Sequence, residues 1–280
     1  MAGSLAGSLN GKVALVSGAG SSIGMGRVIA LALVGAGAKV AMMDIDGPSL
    51  QERVNEAREI GGDDAAVPIV ADISAWDDAL RAVQTTLDEL GGLHVLVNLA
   101  GVHQRAFLPD GAESVKFWEL PWEIWTKMVA VNSSGPFLMA RAAVGHMVEQ
   151  GWGRVIGVTT SLDTMIHGIP YGPTKATHEA LVSAMARDLE GTGVTSNALL
   201  PGAGANTNFV SREPGRDFSR LVQPEVMGPP AVWLSSDAAG GFNGMRIVAR
   251  DWDEALSPEE NLKNASAPAA WPQLGRRGVS

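Results

Sequence analysis

The chain has 280 residues and a formal net charge of −9, and this length suits one large α/β domain. The acidic balance disfavours contact with phosphate backbones or anionic lipids, so we expect neither nucleic acid nor a membrane as a partner. The absence of cysteine excludes disulfides, thiolate metal sites and thiol nucleophiles, and we predict no metal site. No run reaches the ~20 apolar residues of a membrane span, and the N-terminus has no signal-peptide pattern. We therefore expect a soluble cytoplasmic protein.

The first predicted elements are a strand, a glycine-rich loop, a helix and a second strand. Short apolar runs at residues 12–17 and 39–44 predict strands buried on both faces, and residues 27–38 predict a helix of small residues. The glycines of residues 18–26 permit a tight turn and let the backbone approach a pyrophosphate, whose charge then lies at the positive end of the helix dipole. Glycine clusters also arise by chance, but this order of elements predicts a dinucleotide site.

Acidic side chains follow the next two strands. Asp44 ends the second strand, where it can accept hydrogen bonds from both hydroxyls of an adenosine ribose and would repel a 2′-phosphate. It therefore favours NAD over NADP. Asp72 follows a strand predicted over residues 67–71, and it either faces the adenine edge or caps the helix predicted over residues 75–90.

Polar residues also follow the fourth and fifth strands. Asn98 ends the fourth strand, where open parallel sheets place ligand contacts. His103, just beyond, either borders a pocket or is an ordinary loop residue. Asn132 lies inside a helical stretch of residues 121–150, where its propensity is poor, so we expect it to bond a backbone group or a water. The fifth strand, predicted over residues 153–160, delivers Ser161 to the same edge of the sheet.

Tyr171 and Lys175 lie four residues apart, which places both side chains on one face of a helix. An ammonium group nearby favours the phenolate and typically lowers a tyrosine pKa of ~10 by ~1 to 3 units. The pair is therefore a candidate general base. The alternative is a chance spacing, which many helices contain.

The remaining chain completes the predicted sheet. Strands predicted over residues 194–200 and 244–249 give about seven in all, and their alternation with helices indicates a single-domain, doubly wound parallel α/β fold over residues 1–250. The loop of residues 203–222 is either a lid, whose arginines Arg212, Arg216 and Arg220 would favour an anionic substrate, or a solvated loop. Residues 251–280 are predicted to be an irregular tail that packs on the domain or on a neighbouring subunit.

These residues together resemble the short-chain dehydrogenase/reductases, over roughly residues 10–250. The motifs that carry the resemblance are Gly18, Gly24, Gly26, Asp44, Asp72, Asn98 to Gly101, Asn132, Ser161, Tyr171, Lys175, Pro201 and Gly202. The resemblance implies a Rossmann fold, interconversion of a secondary alcohol and a ketone with NAD, or less favourably NADP, and a homodimer or homotetramer. The subunits would meet through the helices predicted over residues 121–150 and 173–189.

The resemblance also implies a role for each site residue. Tyr171 would be the general acid/base on the substrate oxygen, and Ser161 would orient that oxygen. Lys175 would hold the nicotinamide ribose and lower the tyrosine pKa, and Asn132 would position a relay water. The implied cofactor contacts are Gly18, Gly20, Ser22, Gly24, Met25, Gly26, Asp44, Asp72, Ile73, Asn98, Ala100, Gly101, Tyr171, Lys175, Pro201, Gly202 and Thr207.

Some positions depart from the family pattern. The interval from Ser161 to Tyr171 is about three residues shorter than usual, so Thr159 or Thr160 could take the serine's role, and the usual aspartate and two glycines after the last strand are missing. These departures motivate a rival hypothesis, a catalytically inactive dinucleotide-binding protein with a regulatory or scaffolding function. Epimerisation or dehydration is a third hypothesis, which the glycine spacing disfavours. The substrate is not predicted beyond a small alcohol or ketone.

Overall fold

Eight strands form one sheet in a computed structural model that describes residues 6–108, 115–210 and 217–272. The strands lie in the order β3-β2-β1-β4-β5-β6-β7-β8, and all neighbours are parallel except β7 and β8. The order reverses between β1 and β4, which is where open parallel sheets form a ligand crevice. The strands are β1 (Val13–Ser17), β2 (Lys39–Asp44), β3 (Ala66–Val70), β4 (Val95–Asn98), β5 (Gly153–Val158), β6 (Val194–Leu200), β7 (Met245–Val248) and β8 (Ser266–Pro268).

Helices cover both faces of this sheet. All residues of the central strands β1, β4, β5 and β6 are buried, as expected for parallel strands between two helical layers. One core packs under the first, second and eighth helices, and the other packs under the third and fifth. The helices are α1 (Met25–Gly35), α2 (Gly47–Gly61), α3 (Trp76–Leu90), α4 (Trp122–Val129), α5 (Gly135–Glu149), α6 (Leu162–His167), α7 (Tyr171–Asp188), α8 (Gly228–Leu234) and α9 (Pro258–Ala265).

The structure corrects two sequence predictions of secondary structure. The helix predicted over residues 121–150 is α4, a π-helical turn over Ala130–Ser134, and then α5. The tail predicted to be irregular contains α9, which a capping box of Ser257 and Glu260 begins, and β8, which pairs antiparallel with β7 as an eighth strand. A three-residue strand carries too few alternations to be seen in a sequence. Residues 273–280 of the tail lie outside the described residues.

None of the helices in the described ranges is both long and apolar enough to cross a membrane.

Candidate functional site

The glycine-rich loop joins β1 to α1 at the point where the strand order reverses. Gly18 has a φ of +74°, and a Cβ there would lie 2.8 Å from the Cα of Ala100, so only glycine suits this position. A Cβ on Gly26 would collide with the carbonyl oxygen of Gly18. Gly24 caps α1 without a side-chain hydrogen bond, and the first turn of the helix contains no carboxylate. Its N–H groups can therefore receive an anion such as a pyrophosphate.

Asp44 lies against this loop at the end of β2. Its Oδ2 accepts a 2.8 Å hydrogen bond from the backbone N–H of Gly20, and its Oδ1 accepts one of 2.8 Å from that of Ile45. A Cβ on Gly20 would lie 2.9 Å from the carboxyl carbon, so the missing side chain lets the carboxylate approach the loop. Since a carboxylate oxygen has two lone pairs, Oδ2 can still accept a hydrogen bond from a ribose hydroxyl.

Asp72 borders an adjoining pocket together with Ile73, Asp44 and Gly101. Its Oδ1 accepts hydrogen bonds from the backbone N–H and the hydroxyl of Ser74, at 2.9 and 2.6 Å. The N-cap of α3 is instead Ala75, which makes no side-chain bond. Capping of α3, one of the two roles predicted for Asp72, is therefore wrong. Asp72 lies at the side of the pocket, and its predicted contact with the adenine edge stays a prediction.

The ends of β1 and β4 are held together by one hydroxyl. Ser17 Oγ donates to the carbonyl oxygen of Val97 at 3.2 Å and accepts from the N–H groups of Leu99 and Ala100 at 3.1 and 3.2 Å. Asn98 is 2% exposed and donates to the carbonyl oxygen of Pro136 at 3.1 Å. The Nδ2 bond fixes α5 against the sheet, while Oδ1 has no hydrogen-bond partner in the described part of the chain, so the predicted ligand contact of Asn98 stays a prediction.

Asn132 lies fully buried in the π-helical turn between α4 and α5. Its Oδ1 accepts from the N–H of Val102 at 2.8 Å, and its Nδ2 donates to the carbonyl oxygen of Val102 at 2.9 Å and to Oγ1 of Thr174 at 3.1 Å. The expected bond to a backbone group is thus present. The side chain fixes the segment after β4 to the start of α7, and π-turns are frequent at functional sites.

Tyr171 and Lys175 line the same cleft as the glycine loop. Tyr171 begins α7, and the Nζ of Lys175 lies 6.0 Å from the centre of the tyrosine ring. Nζ donates a 2.9 Å hydrogen bond to the carbonyl oxygen of Val158, the last residue of β5. The bond directs the ammonium group toward the floor of the cleft, between the end of β5 and Gly101.

The pKa of Tyr171 departs from the sequence prediction. Burial raises it above the ordinary tyrosine value, whereas Lys175 was expected to lower it. Burial also lowers the pKa of Lys175 to about 8. The reason is that both groups lose water on folding, which disfavours each charged form. The expected lowering by Lys175 is therefore not seen, and the phenol is protonated at neutral pH.

Thr159, rather than Ser161, lines the cleft beside these residues. Ser161 caps α6, where its Oγ accepts from the N–H of Thr164 at 3.3 Å and shares a 3.0 Å hydrogen bond with the hydroxyl of Thr164. Thr159 Oγ1 donates at 2.9 Å to the fully buried carboxylate of Glu179. Thr159 can therefore still accept a hydrogen bond from a ligand, but its own proton is already used.

The segment after β6 covers the glycine loop. Asn208 Nδ2 donates to Oγ of Ser21 at 3.0 Å, and Thr207 and Phe209 line the cleft beside it. This contact supports the lid interpretation for the first part of the predicted loop. Arg220 is exposed, pairs with Asp217 at 3.2 Å and does not line the cleft. Arg212 and Arg216 lie outside the described residues.

The predicted site residues fall into three groups. Nine of them line the main cleft: Gly18, Gly24, Met25, Asp44, Ala100, Gly101, Tyr171, Lys175 and Thr207. Asp72 and Ile73 line the adjoining pocket, and Gly20 and Ser22 line an outer groove. The residues outside these linings are Gly26, Asn98, Asn132, Ser161, Pro201 and Gly202.

Sequence reasoning missed some of the residues that shape the cleft. Ser21, Asn208 and Phe209 line it, although no motif marks them. His103, which the sequence left open, lies with its ring centre 5.1 Å from that of Tyr171 and 6.2 Å from that of Phe209. Only the alignment of strand ends brings these loops together, so a single sequence gives no signal for the contact.

Comparison with known proteins finds a matching family and relatives that are dehydrogenases or reductases by name. The family described as short chain dehydrogenase matches residues 12–215. A short chain dehydrogenase of Pseudocercospora fijiensis is 38% identical over 199 residues, which are 70% of this chain and 61% of that relative, so this chain spans less than two thirds of its length. NADPH-dependent aldehyde reductase 2 of Arabidopsis thaliana is 30% identical, over 86% of this chain and 93% of the relative.

A solved structure of a similar protein has a similar fold. The short-chain type dehydrogenase/reductase from Mycobacterium marinum superposes with a TM-score of 0.71 at 30% identity. The match covers 84% of this chain and 92% of that one. The single-domain, doubly wound α/β fold predicted from the sequence is confirmed.

Proposed function

Because this chain belongs to the short-chain dehydrogenase/reductase family, we propose that it is an NAD-dependent oxidoreductase that interconverts a secondary alcohol and a ketone. The observation that carries the proposal is one shared cleft. The glycine loop, Asp44, Tyr171 and Lys175 all line it. A proton-transfer group therefore lies where a dinucleotide held at the N-terminus of α1 would present its reactive ring.

The residues present suit a dinucleotide. The N-terminus of α1, which has no side-chain cap, would hold the pyrophosphate, Asp44 would hold the adenosine ribose, and the ammonium group of Lys175 would hold the second ribose. When bound, the cofactor supplies or accepts the hydride. The work of the chain is to align the substrate and to move a proton at the substrate oxygen.

Tyr171 performs the proton transfer in this proposal. Its phenol is protonated at neutral pH, so it is ready to donate a proton to a carbonyl oxygen in the reductive direction. In the oxidative direction it must first lose that proton, and the charge of Lys175 opposes the desolvation cost of the phenolate. Asn132 keeps the segment after β4 in place. The hydroxyl oxygen of Thr159, which lines the cleft where Ser161 does not, would accept a hydrogen bond from the substrate hydroxyl and so orient it.

The preference for NAD rests on Asp44. Its carboxylate is fixed by Gly20 at the end of β2, and a 2′-phosphate placed beside it would meet a like charge. One relative, the aldehyde reductase of A. thaliana, is NADPH-dependent by its name. The preference therefore has to be measured on this chain.

We also propose a homo-oligomer that assembles through α4, α5 and α7. Trp122 on α4 is 70% exposed and Phe137 on α5 is 46% exposed, so this region carries large apolar side chains that a subunit contact would bury. Light scattering of the purified protein would give the mass of the assembly. A monomer at micromolar concentration would contradict this part of the proposal. The cytoplasmic location expected from the sequence stays a prediction.

The test of the function is NADH formation from a panel of secondary alcohols and polyols. We expect NAD-linked turnover with at least one of them, and much weaker turnover when NADP replaces NAD. A matched control replaces Asp44 with alanine, which should reduce the discrimination between the two cofactors because the repulsion is removed. A wild-type preference for NADP would contradict the cofactor assignment. Tight NADH binding without turnover of any alcohol would favour the rival regulatory function.

A further inference from the structure

An imidazole lies beside the proposed catalytic phenol, although the proposed mechanism does not use it. His103 packs its ring on Tyr171 at 5.1 Å between centres and on Phe209 at 6.2 Å, and Tyr171 and Phe209 meet edge to face at 6.2 Å. The three rings therefore form one cluster at the phenol. Two of them, Tyr171 and Phe209, line the cleft.

The hydrogen bonding of His103 fixes which nitrogen carries its proton. Nδ1 accepts a 3.3 Å hydrogen bond from the backbone N–H of Arg105. An imidazole nitrogen that accepts is unprotonated, so in the neutral ring the proton lies on Nε2. Burial, and then the charge of Arg105, lower the pKa of His103 to about 4, so the ring is neutral at neutral pH. Nε2 makes no hydrogen bond within the part of the chain that the structure describes, and it is not among the fully buried atoms that lack a partner, so it is accessible to a ligand.

His103 caps the 3-10 turn of Gln104–Ala106 through Nδ1, and this bond holds the imidazole in one orientation beside Tyr171. A neutral N–H donor discriminates between substrates because an analogue without the matching acceptor leaves the donor unpaired. The aromatic faces around it suit a flat or cyclic carbon skeleton.

We propose that His103 is a specificity-determining residue whose Nε2–H binds a second oxygen of a hydroxylated ring substrate, such as a cyclic diol or hydroxyketone. The proposal rests on the oxidoreductase function argued above, since Tyr171 must act on the first oxygen. It adds the class of substrate to that function. The second oxygen lies near the first, because the imidazole and phenol rings are in contact.

The experiment compares cyclohexanol with cyclohexane-1,2-diol, 1,3-diol and 1,4-diol as substrates of the wild-type enzyme and of His103→Phe. Phenylalanine keeps a ring against Tyr171 and Phe209 but has no donor. For at least one diol we expect kcat/KM to fall about 10-fold or more in the variant, while cyclohexanol changes by less than about 3-fold. His103→Gln, which retains an N–H donor, should recover part of the diol activity. NADH binding checks that each variant is folded.

Other outcomes overturn the proposal in distinguishable ways. Equal losses for cyclohexanol and the diols would show that His103 only packs against Tyr171. Wild-type enzyme that oxidises cyclohexanol as well as every diol would remove the second-oxygen contact and leave the oxidoreductase function standing. Turnover of other alcohols from the panel but of none of these four would remove the ring-substrate class and leave the oxidoreductase function standing. No turnover of any alcohol with either cofactor, although NADH binds, would count against the function itself.

Discussion

At the scale of single residues, the most consequential side chain is Tyr171, whose environment acts on its pKa in two opposing ways. Burial removes water from the phenolate and raises the pKa, while the ammonium group of Lys175 favours the phenolate. In this structure burial is the effect that shifts the pKa, which is raised. Spacing alone predicted only the second, because a sequence shows which charges are neighbours but not how much water reaches them.

This pKa is open to direct measurement because Tyr171 is the only tyrosine in the chain. The absorbance of tyrosinate near ~295 nm therefore reports one group, against a tryptophan background that Tyr171→Phe supplies. We expect the free protein to show no tyrosinate below pH ~10, the ordinary tyrosine value, because the pKa is raised by burial. Alcohol oxidation, which needs the phenolate, should accordingly become faster as the pH rises from 7. Ionisation below pH ~9 would mean that Lys175 outweighs burial.

The residues that sequence motifs located correctly are those whose role is set by the backbone. Gly18 is required by its positive φ and by the approach of Ala100, and Asp44 by its place at a strand end. The ligand contacts predicted for Ser161 and Asn98 stay predictions. Each has a local partner, the N–H of Thr164 and the carbonyl oxygen of Pro136, that no spacing rule reveals. Thr159 takes the place in the cleft that was predicted for Ser161.

At the scale of elements, a buried ion pair joins three elements beneath the cleft. Glu179 on α7 is fully buried and pairs with Arg246 on β7 at 3.0 Å, and it accepts the hydroxyl proton of Thr159 just after β5. Arg246 also donates to the carbonyl oxygen of Thr160 at 3.2 Å. These bonds connect Thr159 and Thr160, at the base of the cleft, to β7, which pairs with β8. Removing one charge should leave the other buried and unpaired.

We expect Arg246→Met to lower the free energy of unfolding by about 3–5 kcal/mol, because the carboxylate of Glu179 loses its only ion-pair partner in the described part of the chain. The double variant Glu179→Met with Arg246→Met should recover most of that loss, since no charge then remains buried. Urea unfolding of the wild type, both single variants and the double variant gives the coupling energy. A single-variant loss under about 1 kcal/mol, as for surface pairs, would show that the pair is not structural.

At the scale of the whole molecule, the alternation of strands and helices was enough to predict the layers and the doubly wound order. Parallel strands buried on both faces are strongly marked in sequence by continuous apolar runs, as in β1 and β6. The additions at the C-terminal end were not marked in that way. α9 and β8 are short, and their stability comes from pairing with β7 and from capping rather than from a long periodic pattern.

The side of the cleft formed by the rings of His103, Tyr171 and Phe209 was the least predictable part of the molecule. Its walls come from the segments after β4 and β6 and from the start of α7, which are far apart in sequence. Their meeting depends on the sheet order, which places β4 beside β5 and β5 beside β6. A sequence can locate each strand end, but it does not give the side chains that meet across the edge.

The central claim is that this cleft performs redox chemistry through Tyr171, and the most direct test is Tyr171→Phe, measured for both NADH binding and turnover of the best alcohol from the panel. Loss of the hydroxyl removes the proton transfer and leaves the glycine loop and Asp44 intact. We therefore predict that turnover falls about 10²-fold or more while the Kd for NADH stays within about 3-fold of wild type. Undiminished turnover in Tyr171→Phe would contradict the mechanism.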